Sequence, residues 1–285
     1  MPAGRRSARQ GTARLLIKIM NGPRRIPRIM HQVYLTGKIP EQLQRNVDAH
    51  KARNPGWEHR LYDEDVAIDL ILKHYGDDML SNYMRISDEY PAARVDLLCN
   101  LIIHAYGGVY FDIKSVFNRP LDEVVRPDDS YLLAQWRNGP GEPNEGFGIH
   151  SDLKHIAGGE YMKYFIIAEP KHPYSAAIIK KILYNIAHYR PWSAVGRTGV
   201  LRTTGPIAYT LGIHPIRDQH PYRFVTETEL GCSPSLSDGY NHLVSFPKKH
   251  YSLLASPVVN LSPIGTALSS RFVQLRTLKN RLRKS

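Results

Sequence analysis

The sequence predicts an α/β domain, a mostly parallel sheet flanked by helices, and three observations carry that reading. Short strand-forming runs alternate with longer segments of helical apolar spacing, the pattern of a parallel-sheet domain. One helix-to-strand corner is punctuated by a double glycine, Gly107-Gly108. With 285 residues, 42% hydrophobic and 22% charged, the chain has an ordinary globular composition and can bury a full core as a single domain. In chain order, strands are expected at 28–35, 57–62, 109–111, 130–135 and 161–168. Helices are expected at 41–52, 64–75, 78–86, 92–106, 174–189 and 206–212. The turn-rich stretch 138–146 reads as an insertion, and 190–205 and 228–241 as the other loops.

The corner at 106–114, Tyr-Gly-Gly-Val-Tyr-Phe-Asp-Ile-Lys, is the most informative segment. Upstream, Val95, Leu98, Cys99, Ile102 and Tyr106 form one apolar helical stripe, with Asp96 off it. Gly107 and Gly108 end that helix, because glycine adopts the left-handed conformation without steric penalty. Val109, Tyr110 and Phe111 are strand formers, so Asp112 falls at a strand's carboxyl end, where open α/β sheets bind ligands. Tyr106, Gly107, Gly108, Tyr110 and Asp112 coincide by chance on the order of once in a million windows.

The formal net charge of +12 sits at the ends of the chain. Residues 1–28 carry eight cations and 271–285 carry six, with no acid in either, which leaves 29–270 at −2. Such a body is not the basic surface of a nucleic-acid binder. Basic ends suit an anionic membrane face, and Phe272, Leu275, Leu278 and Leu282 recur at near-helical spacing among the last cations. The run Leu15-Leu16-Ile17-Lys18-Ile19-Met20 is too short to span a bilayer and lacks the form of a secretory signal. With only Cys99 and Cys232, a disulfide scaffold is not expected. Neither zinc-ligand spacing, a Gly-X-Ser-X-Gly elbow nor a P-loop is present.

Several landmarks along the chain resemble glycosyltransferase family 32, sugar transferases with a DXD motif. They are 26–34 (Ile-Pro-Arg-Ile-Met-His-Gln-Val-Tyr), Asn54-Pro55-Gly56-Trp57, Arg60-Leu61-Tyr62-Asp63, Asp96, Gly107 to Asp112, His172-Pro173 and Thr203-Thr204-Gly205-Pro206. In the family's order they cover roughly 26–211. The resemblance implies a GT-A-like nucleotide-binding domain over 26–265, between a basic N-terminal tail at 1–25 and a basic amphipathic C-terminal tail at 266–285. It also implies a retaining transferase that uses a UDP- or GDP-sugar and a glycan or glycolipid acceptor. A cytoplasmic chain, peripheral at the inner membrane face, is the expected setting.

By the same resemblance Asp112 is the metal and ribose aspartate and Asp96 contacts the donor sugar. Tyr34 is the aromatic that stacks on the base, and His31, Gln32, Gly107, Gly108 and Thr204 are candidate nucleotide contacts. The expected cofactor is a divalent cation, manganese or magnesium. Two departures stand out: Lys114 replaces the second aspartate of the motif, and Cys99 replaces a helix arginine. Lys114 cannot ligate a metal as an ammonium, but it can neutralise a leaving diphosphate. The rival reading is a catalytically weakened module that still binds a nucleotide or glycan.

Overall fold

The computed structural model describes residues 24–236 and 250–282. Its main sheet has six strands in the order β2-β1-β3-β6-β5-β7. These are β1 (Ile29–Val33), β2 (Glu58–Tyr62), β3 (Gly108–Phe111), β5 (Tyr131–Leu133), β6 (Phe165–Ala168) and β7 (Arg223–Phe224). β1 runs parallel to β2 and β3, β5 runs parallel to β7, and β6 is antiparallel to both of its neighbours. Five strands therefore point one way and β6 alone is reversed, a mostly parallel, GT-A-like α/β sheet. A small ribbon pairs β4 (Val116–Phe117) with β8 (Cys232–Ser233).

The helices are α1 (Glu41–Arg53), α2 (Glu64–Met84), α3 (Pro91–Tyr106), α4 (Leu121–Val124), α5 (Pro173–Ala187), α6 (Gly196–Thr203), α7 (Pro206–Ile213), α8 (Glu227–Leu230) and α9 (Pro263–Leu282). α2 starts where the Asp63 carboxylate accepts from the Val66 N–H at 2.9 Å, and Gly76, at φ 74°, breaks it. The two helices expected at 64–75 and 78–86 meet at that break. α3 opens on Pro91, whose missing N–H costs nothing at a first turn. It packs against β3, β6 and α5, so Leu97, Leu98, Leu101, Ile102 and Ile103 are all buried, more than a single stripe provides. β3 is buried along its whole length, as a central strand covered on both faces should be.

The 107–108 corner is held by close packing. Gly107 and Gly108 have φ of 64° and 99°. A Cβ on Gly108 would lie 2.5 Å from the Ile29 carbonyl oxygen, and one on Gly107 would lie 2.6 Å from Pro170. Gly108→Ala therefore combines a disfavoured backbone, worth roughly 1–3 kcal/mol, with a clash against backbone that cannot swing away. Gly37→Ala is the control, since Gly37 has φ +68° but open space around it. Urea unfolding should show the larger loss for Gly108→Ala; equal losses would mean that the close approach carries no weight.

Two loop expectations need correction. Within 190–205 the chain forms α6, hidden from sequence reading by Gly196 and Gly199, which are poor helix formers. Gly199 is needed because a Cβ there would lie 2.4 Å from the Ala194 carbonyl oxygen. The stretch 228–236 holds most of α8 and all of β8, while 237–241 lies outside the described residues. At the N-terminal end 1–23 also lies outside them, but Arg24 is tied to Asp122 at 3.2 Å and Arg25 to Glu169 at 2.7 Å. Among the described residues no helix is long and apolar enough to cross a membrane.

Candidate active site

A cleft of about 410 Å³ opens at the carboxyl ends of β1 and β3, the position where open α/β sheets present their ligand sites. Val33 and Tyr34 enter it from the end of β1, and Asp112, Ile113 and Lys114 from the end of β3. Val95 and Asp96 come from α3, Glu160, Lys163 and Tyr164 from the approach to β6, and Arg197, Val200 and Leu201 from α6.

Asp112 is fixed by its own turn. Its N–H donates to the Tyr164 carbonyl at 2.9 Å, and its carbonyl accepts from the Ser115 N–H at 2.8 Å. The Tyr110 hydroxyl donates to Oδ1 at 2.8 Å; burial first, then Asp112 itself, raises that phenol well above its ordinary value, so it remains a donor. α1 braces the turn from beneath: Asn46 Nδ2 donates to the carbonyls of Ile113 and Ser115, at 2.9 and 3.0 Å. Lys114 is half-buried on the cleft wall.

Opposite stands a three-way junction built on Asp96. Oδ1 accepts from the Lys163 ammonium, and Oδ2 accepts from the Thr204 hydroxyl at 2.9 Å. Burial raises the Asp96 carboxyl, against the pull of Lys163 and Thr204. Burial alone would lower Lys163, but Asp96, Cys99 and Asp112 outweigh it and hold the proton on. Lys163 Nζ also lies 3.6 Å from Cys99 Sγ. A cation from the approach to β6 therefore stands beside position 99.

The residues singled out from sequence divide into two groups. Asp112, Asp96, Lys114 and Tyr34 line the cleft, with the Tyr34 ring packed on Leu43, Val47 and Ile113. His31, Gln32, Gly107, Gly108 and Thr204, expected as nucleotide contacts, do not line it. His31 is fully buried, its ring bonding the Tyr62 hydroxyl and the Gly107 carbonyl, both at 2.9 Å. Burial lowers its pKa to about 3, so it is a neutral framework residue. Gln32 is buried against His59, the glycines serve the corner, and Thr204 buttresses Asp96.

Sequence reasoning missed Lys163, Arg197 and Glu160. Glu160 is a buried carboxylate that accepts from Trp136 Nε1 at 2.9 Å and bonds His150 Nε2 at 2.7 Å. A cation inside the otherwise apolar run Tyr161-Met162-Lys163-Tyr164-Phe165 was the available signal for Lys163.

A mostly parallel sheet with a carboxylate-bearing cleft at its carboxyl edge is the arrangement of an α/β ligand-binding domain. Residues 40–131 match the family described as the glycosyltransferase sugar-binding region containing DXD motif. Mannosyl phosphorylinositol ceramide synthase CSH1 of Saccharomyces cerevisiae is 26% identical over 203 residues, 66% of this chain and 50% of that protein. Inositol phosphoceramide mannosyltransferase 1 of Schizosaccharomyces pombe is 21% identical over 218 residues, 74% of this chain and 59% of that protein. Among solved structures, the PaToxG glycosyltransferase aligns with a TM-score of 0.49 at 15% identity, covering 75% of this chain and 80% of that one. The chain spans about half the length of the curated relatives it matches. Its similarity is thus to the DXD-containing glycosyltransferases, of the family 32 type, over residues 40–131 and beyond.

Proposed function

We propose that this chain is a retaining glycosyltransferase that moves a sugar from a UDP- or GDP-sugar to a hydroxyl of a cell-surface or lipid-linked glycan. The observation that carries the proposal is the pairing of two carboxylates in one cleft: Asp112 beside the cation Lys114, and Asp96 locked by Lys163 and Thr204. A leaving diphosphate needs positive charge beside its oxygens, and Lys114 and Arg197 both line the cleft. Asp96 spends one acceptor position of each oxygen on its partners, which leaves the others for donor-sugar hydroxyls. Tyr34 offers the ring for the base. Retention follows the family resemblance.

Among the described residues no group of three or more His, Cys, Asp or Glu side chains gathers to hold a metal. The residues still fit a magnesium- or manganese-type ion that takes one carboxylate, Asp112, and fills its shell with substrate phosphate and water. Such an ion would withdraw charge from the leaving diphosphate. The relatives' names carry mannose and inositol phosphoceramide, and the cleft wall formed by Val95, Val200 and Leu201 suits an acceptor with an apolar portion. A mannosyl donor and a lipid-borne acceptor are the first pair to test.

The second reading, a binding module, draws on Lys114 standing where a second carboxylate is usual. Thermal shift with a panel of UDP- and GDP-sugars, followed by assay of free sugar, separates the two. A ligand at 100 times its Kd stabilises by about 2.7 kcal/mol, and a transferase should also release free sugar slowly. Stabilisation without release would establish the module. No stabilisation by any member of the panel, with or without manganese, would overturn both.

A further inference from the structure

The C-terminal helix α9 turns its apolar side away from the protein. Surface helices normally set their apolar stripe against the core and their polar side to water. In α9 the buried positions are instead small, Gly265 and Ser269, and Val273 is partly buried one turn on. Ile264, Leu268, Phe272, Leu275 and Leu278, at successive spacings of three and four, form a neighbouring stripe that is 75, 53, 38, 66 and 55% exposed. Individual exposed leucines are ordinary, but a continuous stripe along nearly four turns of one helix is not.

The helix is placed firmly. The segment before it pairs with the end of α2, through a bridge between Val259 and Ile86 and a bond from the Asn260 N–H to the Arg85 carbonyl at 2.8 Å. Phe272, Val273, Arg276 and Thr277 then border the segment 193–198, and Arg197 of that segment lines the cleft. Trp192, 63% exposed, adjoins the same seam in sequence.

Charge identifies what covers the stripe. Residues 263–285 contain six cations and no acid, and Arg271 is exposed within the stripe's own arc. A second copy would bring another α9 of the same sign. The chain's own residues 1–23, with five cations and no acid, are also of that sign. An apolar stripe flanked only by cations matches a surface that is apolar inside and anionic outside.

We propose that α9 lies in the plane of an anionic lipid bilayer, its leucine stripe in the acyl boundary and its cations among the headgroups. The neighbouring cleft is thereby held near lipid-borne acceptors. This docking does not depend on the transfer reaction, and its test uses binding alone.

The full chain is sedimented with vesicles of phosphatidylcholine alone and of phosphatidylcholine mixed with phosphatidylserine. Wild type should bind the mixed vesicles at least tenfold more tightly than the neutral ones, and the difference should shrink with added salt, because exposed charge is screened. Leu268→Glu with Leu275→Glu, both on the exposed stripe, should weaken binding to mixed vesicles at least tenfold while leaving thermal unfolding unchanged. Arg271→Gln should weaken it by a smaller factor. Unchanged binding by the double glutamate variant would overturn the proposal, because the basic ends would then act without the stripe. So would a wild-type dimer that the same variant converts to monomer, since a second copy would then be the occupant.

Discussion

Asp112→Asn should lower sugar transfer by about two orders of magnitude or more while leaving the fold intact. Removing one preorganised electrostatic group from a reacting centre has effects of that size. The amide keeps the shape of the side chain and can still accept from the Tyr110 hydroxyl, so the turn braced by Asn46 has no reason to move. Only the charge is lost. A circular-dichroism melt should therefore match wild type while nucleotide-sugar turnover collapses. Turnover within a few-fold of wild type would remove Asp112 from the mechanism.

Lys163→Met should destabilise the protein by about 3–5 kcal/mol, the usual cost of leaving one partner of an enclosed ion pair behind. The side chains of Lys163 and Asp96 are only 7 and 17% exposed, so water does little to rescue the stranded carboxylate. The loss should depend on pH in a defined direction. Burial already raises Asp96 above its ordinary value, and without the ammonium it rises further. The folded variant then binds a proton more tightly than the unfolded chain, so its stability falls as pH rises from the ordinary carboxylate range through the raised value. Unfolding at pH 5 and pH 8 should show the smaller deficit at pH 5. Adding Asp96→Asn to the variant should restore much of the stability, because no buried charge remains. A deficit that ignores pH, or one below about 1 kcal/mol, would show that the pair is effectively solvated.

These two residues also mark how far the sequence could be read. Asp112 was legible because its position follows from local chemistry: a glycine pair stops a helix, three strand formers follow, and the next residue must emerge at the strand's end. Asp96 was legible as the polar residue off an apolar stripe. His31 sits deeper than the sequence alone reveals. It shares a face of β1 with Val33, but lies two residues back from the carboxyl end, so its ring meets Tyr62 and Gly107 before any ligand. On a central strand buried on both faces, alternation does not show which side chain reaches the opening. For Gly107 and Gly108, read as ligand contacts, the close approach of Pro170 and Ile29 already demands glycine. Lys163 and Arg197 belong to segments distant in sequence whose proximity to Asp96 and Asp112 arises only from the crossovers of the sheet. The two carboxylates fall inside the segment that matches the family, whereas the two cations fall outside it.

The Asp96 junction bears on how the protein assembles. Its bonds join residues 67 and 108 positions apart in the chain, to Lys163 and Thr204 respectively. Loops of that length must close before either contact is rewarded, so nothing local can form the junction early. The helix carrying Asp96, by contrast, makes its backbone bonds within itself and can take shape before those loops close. The chain is then competent in secondary structure before it is competent in chemistry, and the finished constellation reports that the last segments have docked.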